Sequence, residues 1–268
     1  MFALKKIQLS KGVKITLKTS HSAFLSTSSV EPNVPNKLNV YGNIRSQPTR
    51  SVIFLLQEAK VDHVFHQLNN REGEHKKPEY KKFIKAGLLP SIYTEDGMAL
   101  GEGAAILQYL VDRYDLKDWK ASSLNESAQI NFWLHWNHTN TRNGTMQILV
   151  PEFILPPKTN VEATLAKGQK AHTRNCKFIT KHLEESGTKF LVSDKPTIAD
   201  LMILPELDQL SQQGYRLFDY SPFPRIEQYM ADLRSALPSY DENLKPVAEK
   251  GAEIAKVRED HKSDLGIV

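Results

Sequence analysis

Ser46 sits in the stretch NIRSQPTRS, between an apolar strand-like run, LNVYG, and a helix-like run, SVIFLLQEA. A serine at a strand-to-helix handover either caps the free N–H groups of the first helical turn or does chemistry beside the positive end of the helix dipole. Pro48 suits a helix that starts near residue 47. Farther along, HWNH places His135 and His138 at i and i+3, a possible metal pair. No carboxylate or cysteine joins them nearby, so no metal site is expected. His135, His138 or Thr139, Arg142 and Met146 recur at spacings of three and four, and are expected to share one face of one helix. In TIADLMILPEL, Thr197 can cap a helix while Asp200 reaches back to its free N–H groups, a role in folding rather than chemistry.

These positions need elements to hold them. LNVYG reads as a strand, SVIFLLQEA as a helix, VDHVFHQL as a second strand and HKKPEYKKFIK as a polar helix or irregular segment. LPSIY and MAL flank TEDG, a hairpin signature, and GEGAAILQYLVDRYD then carries helical spacing. The order β-α-β-α-β-β-α makes an α/β unit, assigned to residues 37–117. From 118 to 268 the strand signals give way to helical runs broken by Pro, Gly and Ser, so an all-helical domain is expected there, with a tail from Leu244 that folds as a helix over an acceptor pocket or stays disordered.

Composition narrows the class. The 268 residues are 40% hydrophobic, ordinary for a globular core, and no apolar run approaches the ~18 residues of a membrane-spanning helix, so no membrane partner is expected. The single cysteine, Cys176, leaves no internal disulfide framework, and the sequons at Asn125, Asn137 and Asn143 read as chance. The net charge of +4 belongs to the first thirty residues, which hold five lysines and no acid. The remainder is close to −1, too weak a field to call for nucleic acid as the main partner. Residues 1–36, rich in Ser and Thr and with Leu9, Val13 and Leu17 on one helical face, resemble a transit peptide. They predict mitochondrial import and cleavage; a disordered extension on a cytoplasmic protein is the alternative.

From about residue 38 to 240 the chain resembles the soluble glutathione S-transferases, the theta class most of all. The likeness rests on separated motifs: VYGNIRSQPTRS, EGEHKKPEYKKFIKAGLLPSI, LGEGAAILQYL, WNHTNTR and TIADLMILPEL. It implies a thioredoxin-like N-terminal domain followed by an all-helical C-terminal domain, glutathione as co-substrate, a small electrophile as second substrate, and a homodimer. By the same resemblance the Ser46 hydroxyl donates to the glutathione sulfur, and Arg142 approaches the thiolate or the glycyl carboxylate, with Met146 lining the acceptor pocket. His75, Leu89, Pro90, Glu102 and Gly103 hold the tripeptide: Leu89 pairs with its cysteinyl backbone ahead of a cis Pro90, and Glu102 takes the γ-glutamyl amino group.

Two positions depart from the family pattern. Residue 103 is glycine where serine is usual, and Leu88 replaces a lysine that often contacts the glycyl carboxylate. Both predict weaker glutathione binding. They also keep two alternatives open: a noncatalytic interaction module like the transferase-like domain of elongation factor 1 gamma, or a ligand-binding protein of this fold. The retained SQP, His75 and Arg142 favour the enzyme.

Overall fold

Strand β1 (Leu38–Gly42) is buried at all five positions and lies inside a four-stranded sheet of order β2-β1-β3-β4. The computed structural model describes residues 34–153 and 161–264. β1 runs parallel to β2 (His63–Gln67), which requires a crossover, and α1 (Gln47–Glu58) supplies it. Its run from Val52 to Leu56 is buried against the sheet and against Ile106, Leu107 and Leu110 of α3 (Gly103–Arg113). Between β2 and the next strand the polar stretch forms a 3-10 turn (Glu74–Lys76) and a four-residue helix, α2 (Pro78–Lys81). β3 (Ser91–Tyr93) and β4 (Ala99–Gly101) pair antiparallel across the TEDG turn. There Gly97 takes a φ of 87°, a region glycine enters without a Cβ penalty.

The helical part comprises α4 (Leu124–Thr139), α5 (Thr141–Phe153), α6 (Val161–Ser186), α7 (Ile198–Asp208), α8 (Pro224–Ala236) and α9 (Tyr240–Asp264). α7 is buried along its whole length, and α1 packs against it. Its N-terminus is the expected capping box: Thr197 Oγ1 accepts from Ala199 N–H, and Asp200 Oδ2 accepts from Thr197 N–H at 2.7 Å. Asp200 also receives Leu191 N–H and the Tyr229 hydroxyl, so every described donor around this buried carboxylate is used.

One helical expectation fails. NFWLHWNHTNTRNGTMQILV is two helices rather than one, because Asn140 leaves helical geometry at φ −114°, ψ −85°. Its side-chain amide shares the Trp136 carbonyl with its own backbone N–H, at 3.0 and 3.1 Å, so Asn140 closes α4 as its C-cap. His135 and Arg142 therefore lie on different helices and share no face. The tail as far as Asp264 forms helix α9, and none of its described residues lines the cleft described below. Residues 1–33, most of the expected leader, lie outside the described residues. Val34 already belongs to the fold: its N–H donates to Asn39 Oδ1 at 2.8 Å and its carbonyl accepts from Asn39 Nδ2.

A clasp joins the two parts. Arg50 of α1, 0% exposed, donates both terminal nitrogens to Asp208 of α7 at 2.8 Å, and its Nε to Asn243 of α9 at 3.0 Å. Asn243 Nδ2 returns a bond to the Arg50 carbonyl, so the buried charges are paired and their remaining polar atoms largely satisfied.

Candidate active site

Where α1, α3 and the loop before β3 face α4, α5 and α7, the molecule encloses a cleft of about 260 Å³. Five of the seven sequence-predicted site residues line it: Leu89, Pro90, Glu102, Gly103 and Arg142. Ser46 and His75 do not. Ser46 is the N-cap of α1, half-buried, two residues ahead of the cleft-lining Pro48, and its hydroxyl makes no capping bond. His75 sits on the 3-10 turn, its carbonyl 3.0 Å from where a Cβ on Gly87 would stand, so it borders the outer end of the loop that leads to Pro90. Burial, then Lys76 and Lys81, lower the pKa of its ring, and its buried Nδ1 finds no partner among the described residues. Met146, expected in the acceptor pocket, does not line the cleft; after the break at Asn140 that wall is formed by Met202 of α7 and Leu134 of α4.

Two helix N-termini open on the cleft. Pro48 marks that of α1; Gly103 and Ala104 mark that of α3, whose leading N–H groups lack intrahelical acceptors and favour an anion. Glu102, the N-cap of α3, holds φ 68° and ψ 111°, an uncommon conformation for a residue with a side chain. Its carboxylate lies 3.9 Å from His138 Nε2 of α4, across the cleft. The Leu89–Pro90 peptide is cis.

Arg142 is fixed from two sides. It donates to Gln47 Oε1 at 2.6 Å, the residue next to Ser46, and lies 3.4 Å from Glu206 Oε1 of α7. Glu206 is 1% exposed, and burial pushes its carboxyl up against the pull of Arg142. Its second oxygen and Gln47 Nε2 are both buried without a partner among the described residues. The sequence reading missed both residues. A signal was present in Glu206: a carboxylate in the apolar run LMILPEL requires a buried cation.

The cleft thus offers two helix N-termini and a guanidinium for negative groups, and the Glu102 carboxylate for a positive one. Family models for the "Glutathione S-transferase, N-terminal domain" and the "Glutathione S-transferase, C-terminal domain" match residues 47–113 and 143–236. The chain belongs to the glutathione S-transferase family. Among its relatives are Glutathione S-transferase T3 of Arabidopsis thaliana, 32% identical over 77% of this chain, and Glutathione S-transferase T1 of the same plant, 31% identical over 77%. The match spans 36% of the first relative's length and 87% of the second's. The solved structure of Ure2p in complex with glutathione superposes with a TM-score of 0.70 at 19% identity, covering 80% of this chain and 96% of that one. Measured against the family pattern, this chain keeps the N–H groups of α3 but has no hydroxyl at Gly103. It places Leu88, 47% exposed, at the cleft where the lysine is usual.

Proposed function

We propose that the protein is a theta-like glutathione transferase that ionises the thiol of glutathione and adds it to a small electrophile, an activated halide, epoxide or peroxide. With a halide, the thiolate sulfur bonds to the electrophilic carbon, the carbon–halogen bond breaks, halide leaves, and the thiol proton has already passed to solvent. A free thiol has a pKa of about 8.5, and lowering it by about two units takes about 2.7 kcal/mol. One hydrogen bond to a charged acceptor contributes about 1.5–3 kcal/mol. The observation that carries this reading is the Ser46 hydroxyl, which makes no capping bond and stands at the positive end of α1 beside the Gln47 that holds Arg142. A noncatalytic module has no need for a serine left idle in this way.

The remaining assignments follow the tripeptide's own groups. Leu89 offers its backbone to the cysteinyl segment, Glu102 meets the ammonium group, and the N–H groups at Gly103 and Ala104 receive the γ-glutamyl carboxylate. His75 and Arg142 serve the glycyl end and the thiolate. The partner proposed for the face bearing Phe132, Trp136 and Phe178 is a second copy of the chain. Phe132 and Phe178 are 45% and 40% exposed, and the rings of Trp136 and Phe178 stack at 5.0 Å, an apolar patch of the kind that marks an interface. For residues 1–36 the proposal is mitochondrial targeting.

Titration calorimetry with glutathione, followed by a conjugation assay with an activated aryl halide, tests the enzyme reading. Ser46→Ala is expected to keep glutathione affinity within a few fold and to lower turnover about a hundredfold. It should leave the urea midpoint in place, since no capping bond is lost. Full activity in this variant would return Ser46 to a structural role.

A further inference from the structure

Tyr80 has no part in the roles above, yet it is 1% exposed and carries a hydroxyl. Burial pushes that phenol up to about 12, so it stays a hydrogen-bond donor at any working pH. Its single proton goes to the Leu88 carbonyl at 2.8 Å. Its oxygen lies 2.5 Å from Ser91 Oγ, and because the Tyr80 proton is committed, Ser91 is the donor in that pair. Leu88 and Ser91 flank Leu89 and Pro90, so one phenol oxygen pins both ends of the segment that forms a wall of the cleft. The ring itself is held edge-on by Tyr41 at 5.8 Å, and Tyr41 stacks on His66 at 4.4 Å.

The Leu88 carbonyl and the Leu89 N–H are opposite ends of one planar trans peptide and point in opposite directions. With the carbonyl turned to Tyr80, the N–H is turned away from it. No described residue accepts from that N–H. Among the described residues, the Tyr80 hydroxyl is the group that bonds this peptide itself: the Leu88 side chain is 47% exposed, Lys85 and Ala86 are exposed, and the buried Gly87 before it gives its own N–H to the Ile84 carbonyl at 2.9 Å. A carbonyl that accepts a hydrogen bond also polarises the N–H at the far end of its peptide, and a donor chain strengthens the effect.

We infer that Tyr80 is a positioning residue for glutathione. The chain Ser91 O–H to Tyr80 O–H to the Leu88 carbonyl orients and polarises the Leu88–Leu89 peptide, so that the Leu89 N–H is presented to the cysteinyl segment of the tripeptide. This rests on the transferase reading given above. Tyr80 touches no reacting atom, so its effect belongs to binding rather than to the chemical step.

Tyr80→Phe removes the hydroxyl and keeps the ring. Glutathione Kd by calorimetry, and KM for glutathione, are expected to rise about tenfold while kcat at saturation stays within twofold. In the ligand-free protein the Leu89 amide proton resonance is expected to move upfield as its peptide loses polarisation. Ser91→Ala keeps the bond to Leu88 and removes only the donor behind it, so it should weaken binding about threefold and add nothing further to Tyr80→Phe. It also supplies the test should Tyr80→Phe fold poorly: an unchanged Kd in Ser91→Ala with an unmoved Leu89 resonance overturns the chain. Wild-type protein that takes up no glutathione overturns the transferase reading, and with it the ligand named here. Wild-type binding that Tyr80→Phe leaves within twofold overturns the positioning role and leaves the function standing.

Discussion

A Cβ placed on Gly103 would stand 3.2 Å from Pro48 Cβ and 3.4 Å from Met202 Cε. The backbone there needs no positive φ, so the position is closed by its neighbours rather than by conformation. The methionine end can swing aside; the proline sits in the first turn of α1, two residues beyond Ser46. Any side chain at 103 therefore presses on the helix start that carries the proposed thiol partner. Gly103→Ala, which adds this pressure and no donor, is expected to weaken glutathione binding a few fold. Gly103→Ser adds the same pressure with a hydroxyl and should bind up to about threefold more tightly than wild type, while turnover falls in both variants. Calorimetry beside kcat reads the difference, and a serine variant no tighter than the alanine variant would show that the hydroxyl misses the ligand. At this scale the motifs made five cleft residues legible because each lies at an element end that short sequence patterns mark. Gln47, Glu206 and Tyr80 stayed hidden because their meaning lies in partners 95, 64 and 8 residues away.

Elements were legible by period and hidden where a side chain overrode it. The spacing across NHTNTR is helical throughout, and only the dihedrals of Asn140, whose amide turns back onto the Trp136 carbonyl, show where the helix stops. A second hidden link joins α6 to α7. His172 of α6, buried, donates from Nε2 to the Tyr220 hydroxyl at 2.7 Å, which in turn donates to the Leu207 carbonyl of α7 at 3.0 Å. Its Nδ1 is buried with no described partner, so a second proton there would be an unpaired charge, and burial lowers the pKa to about 3. The unfolded chain binds this proton below about 6.5 and the folded protein does not until about 3, so stability is full above about 6.5 and falls as pH drops through that window. The slope from this one group is about 1.4 kcal/mol per pH unit. His172→Gln is expected to be less stable at pH 7 by about 1–2 kcal/mol and to lose less than wild type between pH 6.5 and 5. Urea midpoints at both pH values check this; parallel losses would show that His172 titrates normally.

For the whole molecule, the succession of an α/β part and a helical part was legible, since strand signals and turn residues give way to runs of helical spacing. The clasp between the parts was not, because Arg50, Asp208 and Asn243 each look like ordinary surface residues in a linear reading. The leader is a matter of composition alone. Fused to a reporter, residues 1–36 are expected to carry it into mitochondria and to be cut in the Ser-rich stretch before Glu31. A reporter left whole in the cytosol would return the segment to a plain extension. Because Val34 is bonded to Asn39, a truncation meant to spare activity should stop before residue 34.

Arg50 and Asp208, 0% and 1% exposed in their side chains, set how the cleft meets its ligands in time. Parting α1 from α7 would break this pair and also uncover α7, which is buried along its whole length with α1 packed against it, so the two parts are expected to stay together while ligands come and go. Substrates must therefore enter through the mouth of a cleft that is already formed. Their association rates should follow diffusion and charge rather than wait on a gating step, and binding free energy is not diverted into closing the two parts.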